Sequence, residues 1–248
     1  MKARLIIAAV AILLLSGMTR AAEIKILASA AVRDAYLELL PQFEKATGNK
    51  VTVEWSGSPD IQKRIVAGEA ADVVILGNSG TEELIRQGKV VPGSRTNFAR
   101  SGVGVAVRQD APTPDISSAD AVKNAVLAAK SVAYSAGASG AYIVNMFQKM
   151  GILDEAKAKA ATVKPGESVG AVVARGDAEI GFQQISELIP VRGIRYLGPL
   201  PPEIQNVTVF SGSVHSGTKE LDVATALIKF LTAPAAIAVL TKHHLEPG

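Results

Sequence analysis

The chain has 248 residues, of which 48% are hydrophobic, 20% charged and 4% aromatic, with 22 Gly, 12 Pro and no Cys. This composition excludes disorder and a collagen period, and the missing thiol excludes disulfides, Cys metal ligands, a Cys nucleophile and a lipid-modified cysteine. The formal charge of +3 does not argue for nucleic acid or an anionic membrane surface, because it resides in the N-terminus.

Lys2 and Arg4 precede an apolar run over residues 5–15, followed by Ser16, Gly17 and small residues up to Ala21 and Ala22. This pattern predicts a secretory signal, since a bilayer span needs about 20 apolar residues. Cleavage after Ala21 removes Lys2, Arg4 and Arg20 from the 26 basic residues and leaves 23 against 23 acidic ones. Residues 22–248 are then a formally neutral protein, expected to be soluble, monomeric and periplasmic.

Residues 24–27 predict a strand, and Tyr36, Leu39, Leu40 and Phe43 give helical spacing over 32–47 until Gly48 stops it. A strand at 51–55, a helix capped at Ser58 with Pro59 in its first turn, a strand at 72–76 and a helix at 81–87 follow. This alternation predicts a mostly parallel sheet covered on both sides. A second series comprises a strand at 102–107, a helix from Ser118 to about 129, a strand at 131–134 and a Ser- and Gly-rich turn at 135–140. That turn leads into a helix with Ile143, Phe147 and Met150 on one face. Helices at 154–161 and 168–175, strands at 179–182, 195–197 and 207–211, and helices at 219–231 and 233–242 complete the chain. Strands near 102 and 207 are the expected crossings between two α/β lobes, residues 22–99 with 208–248 and residues 100–207.

Several predicted helices begin directly after a strand with a small polar turn, at residues 28–31, 56–58, 135–140 and 165–168. Unpaired N–H groups and a partial positive charge at such helix starts hold an anion without Lys or Arg, and open α/β sheets bind ligands at these strand ends. Taken singly, Ser58, Ser118 and Ser139 read as ordinary N-caps. Catalytic patterns are thin. His243 and His244 lie in the C-terminal tail, and Ser213 with His215 is a candidate Ser/His pair, without a Gly-x-Ser-x-Gly elbow. Gly102-Val103-Gly104 lacks the third Gly of a dinucleotide fingerprint, and no phosphate-loop motif is present. The expectation is therefore a non-enzymatic protein with no cofactor, no protein-bound metal and no nucleic-acid partner. A secreted Ser/His hydrolase is the different-class alternative.

Eight segments carry a resemblance: Ile24-Lys-Ile-Leu-Ala-Ser-Ala-Ala-Val-Arg-Asp-Ala-Tyr, Phe43-Glu-Lys-Ala-Thr-Gly, Trp55-Ser-Gly-Ser, Ile65-Val-Ala-Gly-Glu-Ala-Ala-Asp-Val-Val-Ile, Ser139-Gly-Ala-Tyr, Gln148-Lys-Met-Gly, Ala178-Glu-Ile-Gly-Phe and Pro234-Ala-Ala. In this order the chain resembles the periplasmic molybdate-binding proteins of ABC importers over nearly its whole length. The resemblance implies an α/β, two-lobed periplasmic-binding-protein type II fold with an interlobe cleft. It further implies a small anion held there by hydroxyls and amides, and delivery to the membrane subunits of an ABC permease. Residue by residue, the family's first-helix Ser falls on Ala31, with Ser29 and Ala30 beside it, and the second-helix Ser falls on Ser58. The amide donors fall on Ser139 and near Gly166, and the pocket Tyr falls on Gln184. Two hydroxyl donors of the molybdate pattern are thus replaced. Molybdate, tungstate or a related tetrahedral oxyanion is the leading expected ligand and a small organic carboxylate the alternative, with Arg100 as the candidate for a bidentate carboxylate contact.

Overall fold

The computed structural model describes residues 21–164 and 166–248. The charged start and apolar run read as an export signal lie outside the described residues, Ala21 excepted.

β1 (Glu23–Ser29) leads through a single 3-10 turn at Ala30–Val32 into α1 (Arg33–Thr47). The helix stops where the alternation of apolar residues stops, at Gly48, which adopts φ 75° and donates its N–H to the Glu44 carbonyl at 2.8 Å. β2 (Lys50–Ser56), α2 (Ser58–Val66), β3 (Val73–Gly77) and α3 (Asn78–Arg86) follow. β1 runs parallel between β2 and β3, with Ile26 opposite both Val53 and Val73. Every residue of β3 is buried, as its unbroken Val-Val-Ile-Leu run requires of a strand covered on both faces.

β4 (Thr96–Arg108) is the longest strand and begins six residues before the predicted one. Its polar first half, Thr-Asn-Phe-Ala-Arg-Ser, carries no apolar alternation and is a strand only through its pairing. The later elements are α4 (Ala119–Ala128), β5 (Val132–Tyr134), α5 (Ala138–Lys149), α6 (Leu153–Ala158) and α7 (Val169–Ala174). They continue with β6 (Ile180–Gln184), α8 (Ile185–Leu188), β7 (Ile194–Pro199) and β8 (Val207–Val214). α9 (Leu221–Leu231), α10 (Pro234–Lys242) and the short β9 (Glu246–Pro247) end the chain. From Thr96 to Gly102, β4 pairs antiparallel with β8; from Val103 to Val107 it pairs with β6. One strand therefore serves two sheets, changing partner between Gly102 and Val103.

The two largest of the buried apolar clusters flank this change of partner. One packs Tyr36, Phe43, Ile75, Phe98, Phe210 and Leu227, drawn from residues 24–99 and 210–245. The other packs Val105, Val126, Phe147, Phe182 and Leu200, all within residues 103–204. Phe147 stands edge-on to Tyr134 and Phe182, with ring centroids 6.0 and 5.8 Å away. At the entry to α5 the backbone is packed so tightly that a Cβ on Gly140 would lie 1.5 Å from the Ser135 carbonyl oxygen. Among the described residues, no single helix is long and apolar enough to cross a membrane.

Candidate functional site in the interlobe cleft

A cavity of about 680 Å³ lies between the two cores. One wall comes from the turn after β1, the start of α1 and the turn between β2 and α2. The other comes from the turn before α5, the loop before α7 and the end of β6 with α8. These are strand ends followed by helix starts, the places where α/β sheets present free backbone donors.

The structure brings Ser29, Ala30, Ala31, Gly166 and Gln184 to this cavity. The Ser29 hydroxyl accepts from the Ala31 N–H at 3.4 Å and so caps its own 3-10 turn. Gln184 is 2% exposed and is engaged by the crossing strands. With its amide turned so that both ends are paired, it donates to the Ser101 and Gly102 carbonyls at 2.9 and 3.2 Å and accepts from the Thr208 hydroxyl at 2.9 Å. Gln205 acts similarly one strand away, its amide bonding both the N–H and the carbonyl of Val103 at 2.8 and 3.0 Å. Ser186 adds a third tie, donating to the Ala31 carbonyl at 2.8 Å.

Three expected contacts are placed elsewhere. Ser58 turns its hydroxyl back to accept from the Gly77 N–H at 2.9 Å, behind the wall. Ser139 is 1% exposed, with its hydroxyl 3.4 Å from that of Ser135, the serine that does line the cavity. Arg100 is corrected outright: it donates to the Pro247 carbonyl at 3.0 Å and faces Glu246 at 3.5 Å on the outer edge of the sheet. The hydrolase alternative also fails. The Ser213 hydroxyl is buried with no hydrogen-bond partner among the described residues, and His215 uses Nδ1 to accept from the Gly217 N–H at 3.3 Å.

None of the charged side chains that line the cavity was anticipated. Arg33 and Lys164 are exposed on opposite walls, and among the described residues neither has a salt-bridge partner. Asp34 and Glu187 are half-buried carboxylates in the same cavity. Burial pushes the Glu187 carboxyl up to about 7, the negative charge of Asp34 adds to the rise, and a hydrogen bond from Gln183 opposes it. Glu187 follows an all-buried strand by three residues. That position at the carboxyl end of a sheet strand was the available signal, and the acid reads as solvated without its distant partner Asp34.

The model of the bacterial extracellular solute-binding protein family matches residues 24–246. An aconitate isomerase of Pseudomonas sp. is 38% identical over 227 residues, covering 90% of this chain and 87% of that one. The molybdate-binding protein of Azotobacter vinelandii is 28% identical over 236 residues, 92% of this chain and 91% of that one. Among solved structures, the periplasmic molybdate-binding protein of Azotobacter vinelandii superposes with a TM-score of 0.74 at 21% identity, over 91% of this chain and 99% of that one. The sulfate-binding protein of Mycobacterium tuberculosis superposes with a TM-score of 0.75 at 17% identity, over 91% of this chain and 87% of that one. Both share the two-lobed α/β fold. The enzyme among these relatives overturns the expectation of a non-enzymatic protein. With residues 24–246 matched and the two-lobed architecture in place, the chain belongs to the bacterial extracellular solute-binding protein family.

Proposed function

We propose that the chain takes a small unsaturated polycarboxylate into the interlobe cleft and isomerises it by moving its double bond; isomerisation is the class of reaction named for its Pseudomonas relative. The observation that carries this reading is the charge content of the cavity. Arg33 and Lys164 offer cations without ion-pair partners among the described residues, while Asp34 and Glu187 place carboxylates beside the same space. A bare metal oxyanion gains nothing from two carboxylates at close quarters. A polycarboxylate with an acidic C–H uses both kinds of group, cations for its own charges and a carboxylate for its proton.

Molybdate or tungstate is the second reading, supported by the 28% identity to the Azotobacter protein and by the backbone donors at the helix starts. The same proposal includes export to the periplasm through residues 1–21. It also includes motion of residues 22–99 with 208–248 against residues 100–207 as the two closing bodies, and presentation of the closed form to an ABC permease. The test of the reaction is incubation of purified protein with trans-aconitate and, separately, with cis-aconitate, followed by proton NMR. Each acid is expected to yield the other; failure to convert either overturns the isomerase reading.

A further inference from the structure

We infer that the Glu187 carboxylate is the base that carries the substrate proton in this cleft and that Gln183 is the residue that positions it. This rests on the isomerase reading. Glu187 lies on α8, immediately beyond the carboxyl end of β6, and lines the cavity. Gln183, 2% exposed, donates through Nε2 to Glu187 Oε1 at 2.8 Å. The other end of the same amide accepts from the Val169 N–H at 2.8 Å, at the first residue of α7. A backbone donor thus fixes the amide orientation, so that only the NH2 group can face the acid. One carboxylate oxygen is held and the other is left for the cavity.

The remaining charged groups around the cavity are Arg33 and Asp34 from α1, Asp60 from α2, and Lys164 and Glu167 from the loop before α7. Asp60 accepts from the Ser56 hydroxyl at 2.7 Å and faces Arg64 at 3.8 Å, and Glu167 is paired with Arg175 at 2.7 Å. Among the described residues, Asp34 and Glu187 are the cavity carboxylates without a cation, and of these two only Glu187 is held by a buried donor. Burial brings its carboxyl to about 7, where a carboxylate is basic enough to take a carbon proton and acidic enough to return it.

In the step itself, Glu187 takes a proton from a methylene that lies between a carbon–carbon double bond and a carboxylate. The C–H bond breaks, an O–H bond forms on Glu187, and the electron pair spreads over the three-carbon allyl system and its carboxylates. Return of the proton to the far carbon of that system forms a new C–H bond and leaves the double bond shifted by one position. One proton leaves carbon and one returns, with no net redox change.

The test compares turnover of cis- and trans-aconitate from pH 5 to 9 in wild type, Glu187→Gln, Gln183→Leu and Asp34→Asn, with ligand-induced thermal shifts as the binding readout. Glu187→Gln is expected to lose at least about 100-fold in kcat while the thermal shift by trans-aconitate persists. Wild-type kcat/KM is expected to rise with pH through a midpoint near 7, the value of the ligand-free protein. Loss of the Gln183 donor moves that midpoint to higher pH, and loss of the Asp34 charge moves it lower. Turnover that survives Glu187→Gln, or midpoints that do not move in Gln183→Leu, overturns this inference and leaves the isomerase reading standing. Wild-type protein that converts neither acid removes both.

Discussion

Gly57 and Gly137 meet across the cleft: a Cβ placed on Gly57 would lie 3.2 Å from the Gly137 Cα and 3.6 Å from the Ala136 carbonyl oxygen. Both residues line the cavity, one from each wall. The two helix-entry turns therefore touch in this conformation, backbone against backbone.

Gly57 has φ −74° and ψ 146°, a conformation open to any residue. Gly57→Val consequently adds bulk to the interlobe contact without straining its own turn. It is expected to push the two turns apart and weaken ligand binding by about tenfold, or about 1.4 kcal/mol, with only a small fall in the thermal midpoint of the ligand-free protein. Calorimetric titration beside a thermal melt separates these two effects.

Glu187 supplies a stability prediction independent of turnover. Its carboxyl titrates at about 7 in the folded chain against an ordinary 4.5, so the folded state holds the extra proton between those values. The contribution of Glu187 to the stability of the ligand-free protein therefore falls as pH rises from about 4.5 to about 7. Glu187→Gln removes this decline and gains about 1–3 kcal/mol on wild type at pH 8 relative to pH 4. Urea unfolding at the two pH values measures the difference.

Gln184 braces the crossing strands through three hydrogen bonds. Gln184→Leu leaves the Thr208 hydroxyl and the Ser101 and Gly102 carbonyls short of a partner, and is expected to cost about 1–3 kcal/mol in urea unfolding. A variant of unchanged stability that loses ligand binding would instead show that this amide serves the ligand directly.

Arg33 and Lys164 are exposed cations on opposite walls. Replacing either with Ala is expected to weaken polycarboxylate binding severalfold, about 0.5–1 kcal/mol, with a larger effect at low salt. Titrations at two ionic strengths test this, and insensitivity to salt would remove these residues from the binding reading.

The order of strands and helices in the first half was legible because each element carries its own signal. α1 shows a 3.6-residue apolar stripe ended by a left-handed Gly48, and β3 is an unbroken apolar run. The first half of β4 was not legible, because Thr96–Ser101 is polar and becomes a strand only by pairing with β8. α8, a four-residue helix, is too short to show any period. The turns that form the cavity were visible as small polar stretches after strands. The direction of each hydroxyl was not: Ser58 and Ser139 face backbone and side chain within their own walls, and Ser135, which lines the cavity, turns its hydroxyl to the Gly137 N–H and to Ser139. Glu187 escaped notice for a related reason, since its environment comes from Gln183 beside it and Asp34 on another element.

Calorimetric titration of one wild-type preparation with trans-aconitate and with molybdate tests most directly what the cleft takes. The account predicts saturable binding of trans-aconitate and no heat of binding from molybdate. Tight molybdate binding with no response to trans-aconitate would contradict it.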